Sequence, residues 1–117
     1  MPVRSRALSL LLVLVLVSTA ALVAGCGEGD SVDAKGAVAA CNKACDKQVA
    51  ACPGYNACRA LCNAYEITTD TQACADAIIA EANCEEAQTY TCVMNYPLAG
   101  DIHACDAQRQ AHTDACK

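Results

Sequence analysis

Large apolar side chains are scarce in this chain of 117 residues. It has no phenylalanine, no tryptophan and only four tyrosines. Because ordering each residue costs about 1–2 kcal/mol of backbone entropy, a core this thin cannot stabilise a domain by burial alone. The sequence therefore predicts a small domain that depends on covalent cross-links.

Positive charge is also scarce, with eight Lys and Arg residues against 13 Asp and Glu, a net charge of −5. Without Arg4 and Arg6, which lie in the amino-terminal segment described below, six basic residues remain and the net charge becomes −7. A polyanion would be repelled by such a chain. We expect no nucleic-acid partner and no electrostatic attraction to an anionic membrane surface.

Motifs of common catalytic and metal sites are missing. No Cys-x2-Cys pair occurs, which argues against a zinc ribbon and a thioredoxin-like site. No Ser-His-Asp arrangement or paired-acid site stands out, and we interpret Glu85 and Glu86 as charges in the first turn of a helix. We expect neither an enzyme nor a bound cofactor.

The amino terminus has the pattern of a secretory signal peptide. Arg4 and Arg6 precede an apolar run over 7–17, and small residues follow as far as Gly25. Residues 1–25 are therefore expected to direct export. An uncleaved membrane anchor over 7–25 is a second interpretation, although Ser and Thr within it argue against that.

Val23-Ala24-Gly25-Cys26 resembles the lipobox of bacterial lipoproteins, with Val where Leu is commoner. The resemblance implies cleavage before Cys26, a lipid on its thiol and attachment to the membrane through that lipid. Ordinary signal-peptidase cleavage, leaving Cys26 free, is the alternative. If Cys26 is lipidated, residues 26–31 are the lipidated cysteine and a flexible tether, and residues 32–117 are a cysteine-rich domain. Gly27 after the cysteine, in place of Asp, favours the outer membrane if the source is Gram-negative.

Lipid on Cys26 also accounts for the odd number of cysteines, which is eleven. The remaining ten can form five disulfides, as exported domains of this size usually do. They are Cys41, Cys45, Cys52, Cys58, Cys62, Cys74, Cys84, Cys92, Cys105 and Cys116.

The fold class expected is all-α, a disulfide-stapled bundle of about four to five short helices built as helical hairpins. Apolar residues recur at spacings of three and four, as on one face of a helix. Thr69 with Gln72, and Asn83 with Glu86, resemble capping boxes that would start a third and a fourth helix. Asp101 would cap the fifth.

Cysteines four residues apart on a helix lie on one face. Two such helices joined by a tight turn bring their cysteines together, as in the disulfide-stapled helical hairpins of small secreted proteins. We expect a similar second hairpin, and the two cysteines left over would join the hairpins. Sequence alone does not fix connectivity; the pairs this reasoning favours are Cys41–Cys62, Cys45–Cys58, Cys52–Cys74, Cys84–Cys116 and Cys92–Cys105.

Two further questions stay open at this point. Cysteine pairs at this spacing also occur in helical bacterial copper-storage proteins, where free thiolates bind Cu(I); Met94 and His112 could add ligands. The tyrosines could form a binding surface or, as we favour, replace Phe and Trp in the core.

The chain resembles small cysteine-rich lipoproteins of unassigned function. The leading hypothesis is a lipid-anchored module of the cell envelope for binding or structural roles, with a protein partner of unknown identity, and the copper protein is its rival.

Overall fold

Four helices and one β-hairpin make up residues 31–117, the part of the chain that this computed structural model describes. Its elements are α1 (Ala34–Ala51), α2 (Ala57–Thr68), α3 (Gln72–Glu86), β1 (Tyr90–Val93), β2 (Tyr96–Ala99) and α4 (Asp106–Ala115). Cys26, the lipobox and the expected signal peptide lie outside the described residues, whereas Val32–Lys117 forms one compact unit.

The central helix is α1, which begins at a side-chain cap. Asp33 Oδ1 accepts a hydrogen bond of 2.8 Å from the Gly36 backbone N–H. A side chain at position 36 would collide with this cap, since a Cβ there would lie 2.1 Å from Asp33 Oδ2. Helices α2 and α3 and both strands contact α1, and α4 packs on α3.

The core is built from small side chains. Ile78 is the only larger aliphatic residue among the buried apolar residues of the described segment. The others are Ala37, Ala44, Cys45, Cys52, Cys62, Cys74, Ala75, Ala82 and Cys105. Alanine and cysteine let the helix axes approach closely, but each buries little apolar area.

Five disulfides join these elements, and all ten cysteines of the described segment take part. Cys41–Cys62 and Cys45–Cys58 hold α2 against α1, and these are the two pairs expected for the first helical hairpin. The other three bonds are Cys52–Cys92, Cys74–Cys116 and Cys84–Cys105.

Those three bonds replace the expected pairs Cys52–Cys74, Cys84–Cys116 and Cys92–Cys105. The reason is that Cys92 lies on β1, which contacts the end of α1 where Cys52 follows it. Helices α3 and α4 run antiparallel and are bonded at both ends. Cys84 near the end of α3 meets Cys105 before α4, and Cys74 near the start of α3 meets Cys116 after α4.

The fold is therefore mostly helical but not purely α. Its two strands pair antiparallel in the register Tyr90↔Ala99 to Val93↔Tyr96. Met94 and Asn95 form the turn, and both have positive φ, as type I′ hairpin turns require. The expected fourth helix, carrying both Cys84 and Cys92, is absent from residues 31–117.

Two of the expected helix starts are wrong, and a third is displaced. Asn83 lies inside α3, which runs on to Glu86. Asp101 instead accepts a hydrogen bond from the His103 N–H in a turn, and α4 starts at Asp106. Helix α3 does begin at Gln72, but Thr71 is its cap, accepting from the Cys74 N–H.

Across residues 31–117, no helix combines the length and the apolar character needed to cross a bilayer.

Candidate functional site

An open groove lies between α2 and α3. Both helices pack on α1, and within the described segment their backbones stay apart, with no Cα of one within 8 Å of a Cα of the other. The space between them has α1 as its floor and a volume of about 190 Å³. We call it the α2–α3 groove.

Each side of the groove comes from one element. The floor presents Ala44, Cys45 and Gln48 of α1, and the α2 wall presents Leu61 and Tyr65. The α3 wall presents Ile78, Glu81 and Glu85, and Tyr55 and Tyr96 complete the lining. The two disulfides that fasten α2 to α1 also line the groove, so its α2 wall is covalently joined to its floor.

Charge in the groove is negative. Among its lining residues Glu81 and Glu85 are the only Asp, Glu, Lys, Arg or His side chains. Their side chains are mostly buried, with 15% and 28% of their surface exposed. Burial, joined by the charge of Glu81, raises the pKa of the Glu85 carboxyl, against the opposing effects of Arg109 and His112.

The basic side chains of Arg109 and His112 reach these carboxylates from α4. His112 Nδ1 is hydrogen-bonded to Glu81 Oε2. Arg109 lies farther off, with its Nε 3.7 Å from Glu81 and its Nη2 3.9 Å from Glu85. Neither Arg109 nor His112 lines the groove. They line other depressions, the Arg109 one shared with β2 and the His112 one with Tyr65.

Three of the four tyrosines line the groove. The rings of Tyr55 and Tyr96 pack edge to face with their centroids 5.4 Å apart. Burial raises the pKa of the Tyr65 hydroxyl, and the charges of Glu81 and Glu85 raise it further. Phenol rings and carboxylates therefore share one partly desolvated space.

The favoured expectation that the tyrosines replace Phe and Trp in the core is met only by Tyr65, which packs against the buried cluster of Ala37, Cys74 and Ile78. Tyr55, Tyr65 and Tyr90 are half-buried, and Tyr96 is 58% exposed. Tyr90 donates a hydrogen bond of 2.9 Å to the Glu85 carbonyl oxygen, which ties β1 to the end of α3.

The residues considered for copper are not brought together as free ligands. All ten cysteines of residues 31–117 are in disulfides. Met94 is 97% exposed at the hairpin turn, whereas His112 lies on α4 against Glu81. Among the described residues, no group of three or more His, Cys, Asp or Glu side chains could hold a metal ion.

Sequence reasoning missed the role of Glu81 and assigned Glu85 to the first turn of a helix. Both lie in α3, four residues apart and on the face that carries Ile78 and Ala82. The available signal was the spacing of three and four residues that puts Glu81 and Glu85 on the same helix face as Ile78. Charged side chains are rare on a buried helix face, so their presence there indicates a special role.

Comparison with known proteins does not assign the chain to a family. No protein-family model, no curated protein and no solved structure matches the chain.

Proposed function

We propose that this chain is a lipid-anchored, disulfide-stapled binding module of a bacterial cell envelope, and that the α2–α3 groove is its binding surface. The observation that carries the proposal is the groove itself. It is open, lined by tyrosines and carboxylates, and held to shape by two disulfides. A preformed site of this kind avoids the cost of ordering loops when a ligand binds.

The cross-links support an exported location. Disulfides persist in oxidising compartments such as the bacterial periplasm and are rare in the cytosol. Five of them join the described residues. The signal-like residues 1–25 and the lipobox at Cys26 agree with that location, and Gly27 favours the outer membrane of a Gram-negative source.

Metabolic labelling with a fatty acid tests the anchor. Wild-type protein should take up the label and fractionate with membranes. Cys26→Ser should take up none, and it should be either unprocessed or released. Wild-type protein without label would refute the lipid anchor while leaving the groove untouched.

Intact mass tests the disulfides against the rival copper protein. Protein prepared without reductant and alkylated while denatured should have no alkylated cysteine in residues 31–117, and its five disulfides should leave it ten hydrogens lighter than the reduced chain. Copper storage requires thiolates at these positions. Several alkylated cysteines, with metal released on denaturation, would favour the rival.

Photo-crosslinking in living cells tests the groove. Leu61 lines it and is 60% exposed, whereas Ile67, on the same helix and 87% exposed, does not line it. A benzophenone side chain at position 61 should give a discrete adduct, and the same group at position 67 should not. Equal adducts at both positions, or none at position 61, would contradict binding in the groove.

A further inference from the structure

We infer that the α2–α3 groove receives a basic side chain, a lysine ammonium or an arginine guanidinium, from a partner polypeptide. This inference rests on the proposed binding function and names the chemistry of the ligand. It is carried by the charge of the groove, by its aromatic lining, and by its size and rim.

The charge of the groove selects a cation. Glu81 and Glu85 line one wall, and no Lys, Arg or His lines any part of it. Arg109 and His112 meet the two carboxylates from the α4 side. Both oxygens of Glu81 are engaged, Oε2 by His112 and Oε1 by Arg109, whereas Glu85 Oε2 has no ion-pair partner among the described residues and is the acceptor left for a ligand. Because both side chains are mostly buried, a cation there is attracted more strongly than at an open surface.

The aromatic lining selects a cation on an organic stem. Tyr55, Tyr65 and Tyr96 lie in the same groove as the two carboxylates. A guanidinium or ammonium is attracted to the face of a tyrosine ring, and its methylene stem packs against apolar surface. Leu61 and Ile78 supply that surface.

The size and rim of the groove select a side chain over a larger molecule or a free small cation. About 190 Å³ is less than the roughly 300–1,000 Å³ of sites that enclose drug-sized ligands. Leu61 and Tyr96 remain 60% and 58% exposed in the lining. A polypeptide that inserts one basic side chain would also cover these two residues with its backbone and neighbouring side chains, which a small cation would not.

Amide chemical shifts of the ¹⁵N-labelled protein, with disulfides intact, test the inference. The probes are acetyl-Gly-Ala-Arg-Ala-Gly-amide, the same peptide with neutral citrulline for arginine, and agmatine. The arginine peptide should shift the amides of Leu61, Tyr65 and Glu85 on titration. The citrulline peptide should bind about fivefold more weakly or worse, as expected for the loss of one partly desolvated ion pair.

Two variants locate the charge contact. Glu85→Gln should weaken the arginine peptide about threefold or more, because it removes a carboxylate from the wall. Glu86→Gln is the matched control, with the same change of charge one residue along α3 but outside the groove lining, and it should leave the affinity unchanged. Unchanged amide shifts away from the groove would show that each variant is folded.

Each of the remaining outcomes would refute one part of the inference. Equal binding of the citrulline peptide would refute the cation while leaving a groove that binds peptides. Agmatine binding as tightly as the arginine peptide would refute the polypeptide source and make a small cation the ligand. If no probe shifts the groove residues, the inference is wrong, and crosslinking at position 61 still decides the proposed function separately.

Discussion

At the scale of single residues, Thr69 and Thr71 show how one hydrogen bond decides where a helix starts. Thr71 Oγ1 accepts a hydrogen bond of 3.1 Å from the Cys74 N–H and caps α3. Thr69, which the sequence pattern favours as the cap, is buried to all but 8%, and its hydroxyl makes no hydrogen bond within the described segment. Thr71 is in extended conformation, as an N-cap requires, whereas Thr69 ends α2.

Replacing each threonine by valine should separate these roles, because valine keeps the shape and removes the hydroxyl. Thr71→Val should lower the free energy of unfolding by about 1 kcal/mol through loss of the cap. Thr69→Val should raise it, by up to about 1 kcal/mol, because a buried hydroxyl without a partner is removed. Urea unfolding with the disulfides intact measures both. The opposite order would mean that Thr69 is the cap.

The burial of Glu85 makes the stability of the folded domain depend on pH. Its pKa is raised above the ordinary 4.5, chiefly by burial, so the folded chain binds this proton more tightly than the unfolded chain. The stability that protonation contributes is present below about pH 4.5 and is lost as the pH rises through the raised pKa. Glu85→Gln cannot lose a proton, so its stability relative to wild type should increase across that range.

Urea titrations at a series of pH values, on wild type, Glu85→Gln and Glu86→Gln, measure this difference. The gain of Glu85→Gln over wild type should grow as the pH rises and then level off. A gain that is the same at every pH, or that shrinks as the pH rises, would show that Glu85 does not bind its proton more tightly in the folded state.

At the scale of elements, the α1–α2 hairpin could be predicted from the sequence and the β-hairpin could not. Cys41 and Cys45, and Cys58 and Cys62, are spaced four apart on two helices with a tight turn between them, so their pairing is a local matter. The bonds Cys52–Cys92 and Cys74–Cys116 span 40 and 42 residues. Their partners depend on how separate elements pack, which spacing does not encode.

Neither the turn residues of the β-hairpin nor its proline gives the usual sequence signal of a hairpin. Type I′ turns favour Asn-Gly, and here the turn residues are Met94 and Asn95. A proline such as Pro97 also argues against a strand, because it lacks the N–H that a ladder bond needs. In a two-residue hairpin the pair next to the turn exchanges both ladder bonds and the following pair exchanges none. Pro97 is in that second pair, opposite Cys92, where its missing N–H is not needed.

The groove was also beyond the sequence pattern. It exists because α2 and α3 both pack on α1 while their backbones stay apart, and no spacing of residues within either helix reports that arrangement. The glutamates on the inner face of α3 were the one local sign of it.

Met94 should be a weak point of the β-hairpin. It has φ 51°, in the left-handed region, which costs a typical side chain roughly 1–2 kcal/mol and costs asparagine less. Met94→Asn should therefore raise the free energy of unfolding, by about 0.5–1 kcal/mol. Leu98→Asn is the control, since Leu98 is also exposed but lies in a strand, where asparagine is unfavourable. Thermal unfolding of both variants measures the effect, and equal changes would contradict the turn assignment.

At the scale of the whole molecule, disulfides do much of what a core does in larger domains. Helix α4 has no buried residue, yet it is bonded to α3 at both ends through Cys84–Cys105 and Cys74–Cys116. Five of the ten disulfide-bonded cysteines are buried in the core, and Ile78 is the only larger aliphatic residue buried with them in residues 31–117.

Complete reduction should therefore unfold most of the domain. Each disulfide contributes about 2–4 kcal/mol by restricting the unfolded chain, and the small side chains of the core cannot replace that contribution. Far-ultraviolet circular dichroism of the oxidised protein should be mainly helical, and reduction followed by alkylation should remove most of that signal. The α1–α2 hairpin should lose helicity least, because its alanine-rich first helix has the strongest intrinsic propensity. Helicity that survives full reduction and persists on heating would show that packing of alanine and isoleucine, and not the cross-links, stabilises the fold.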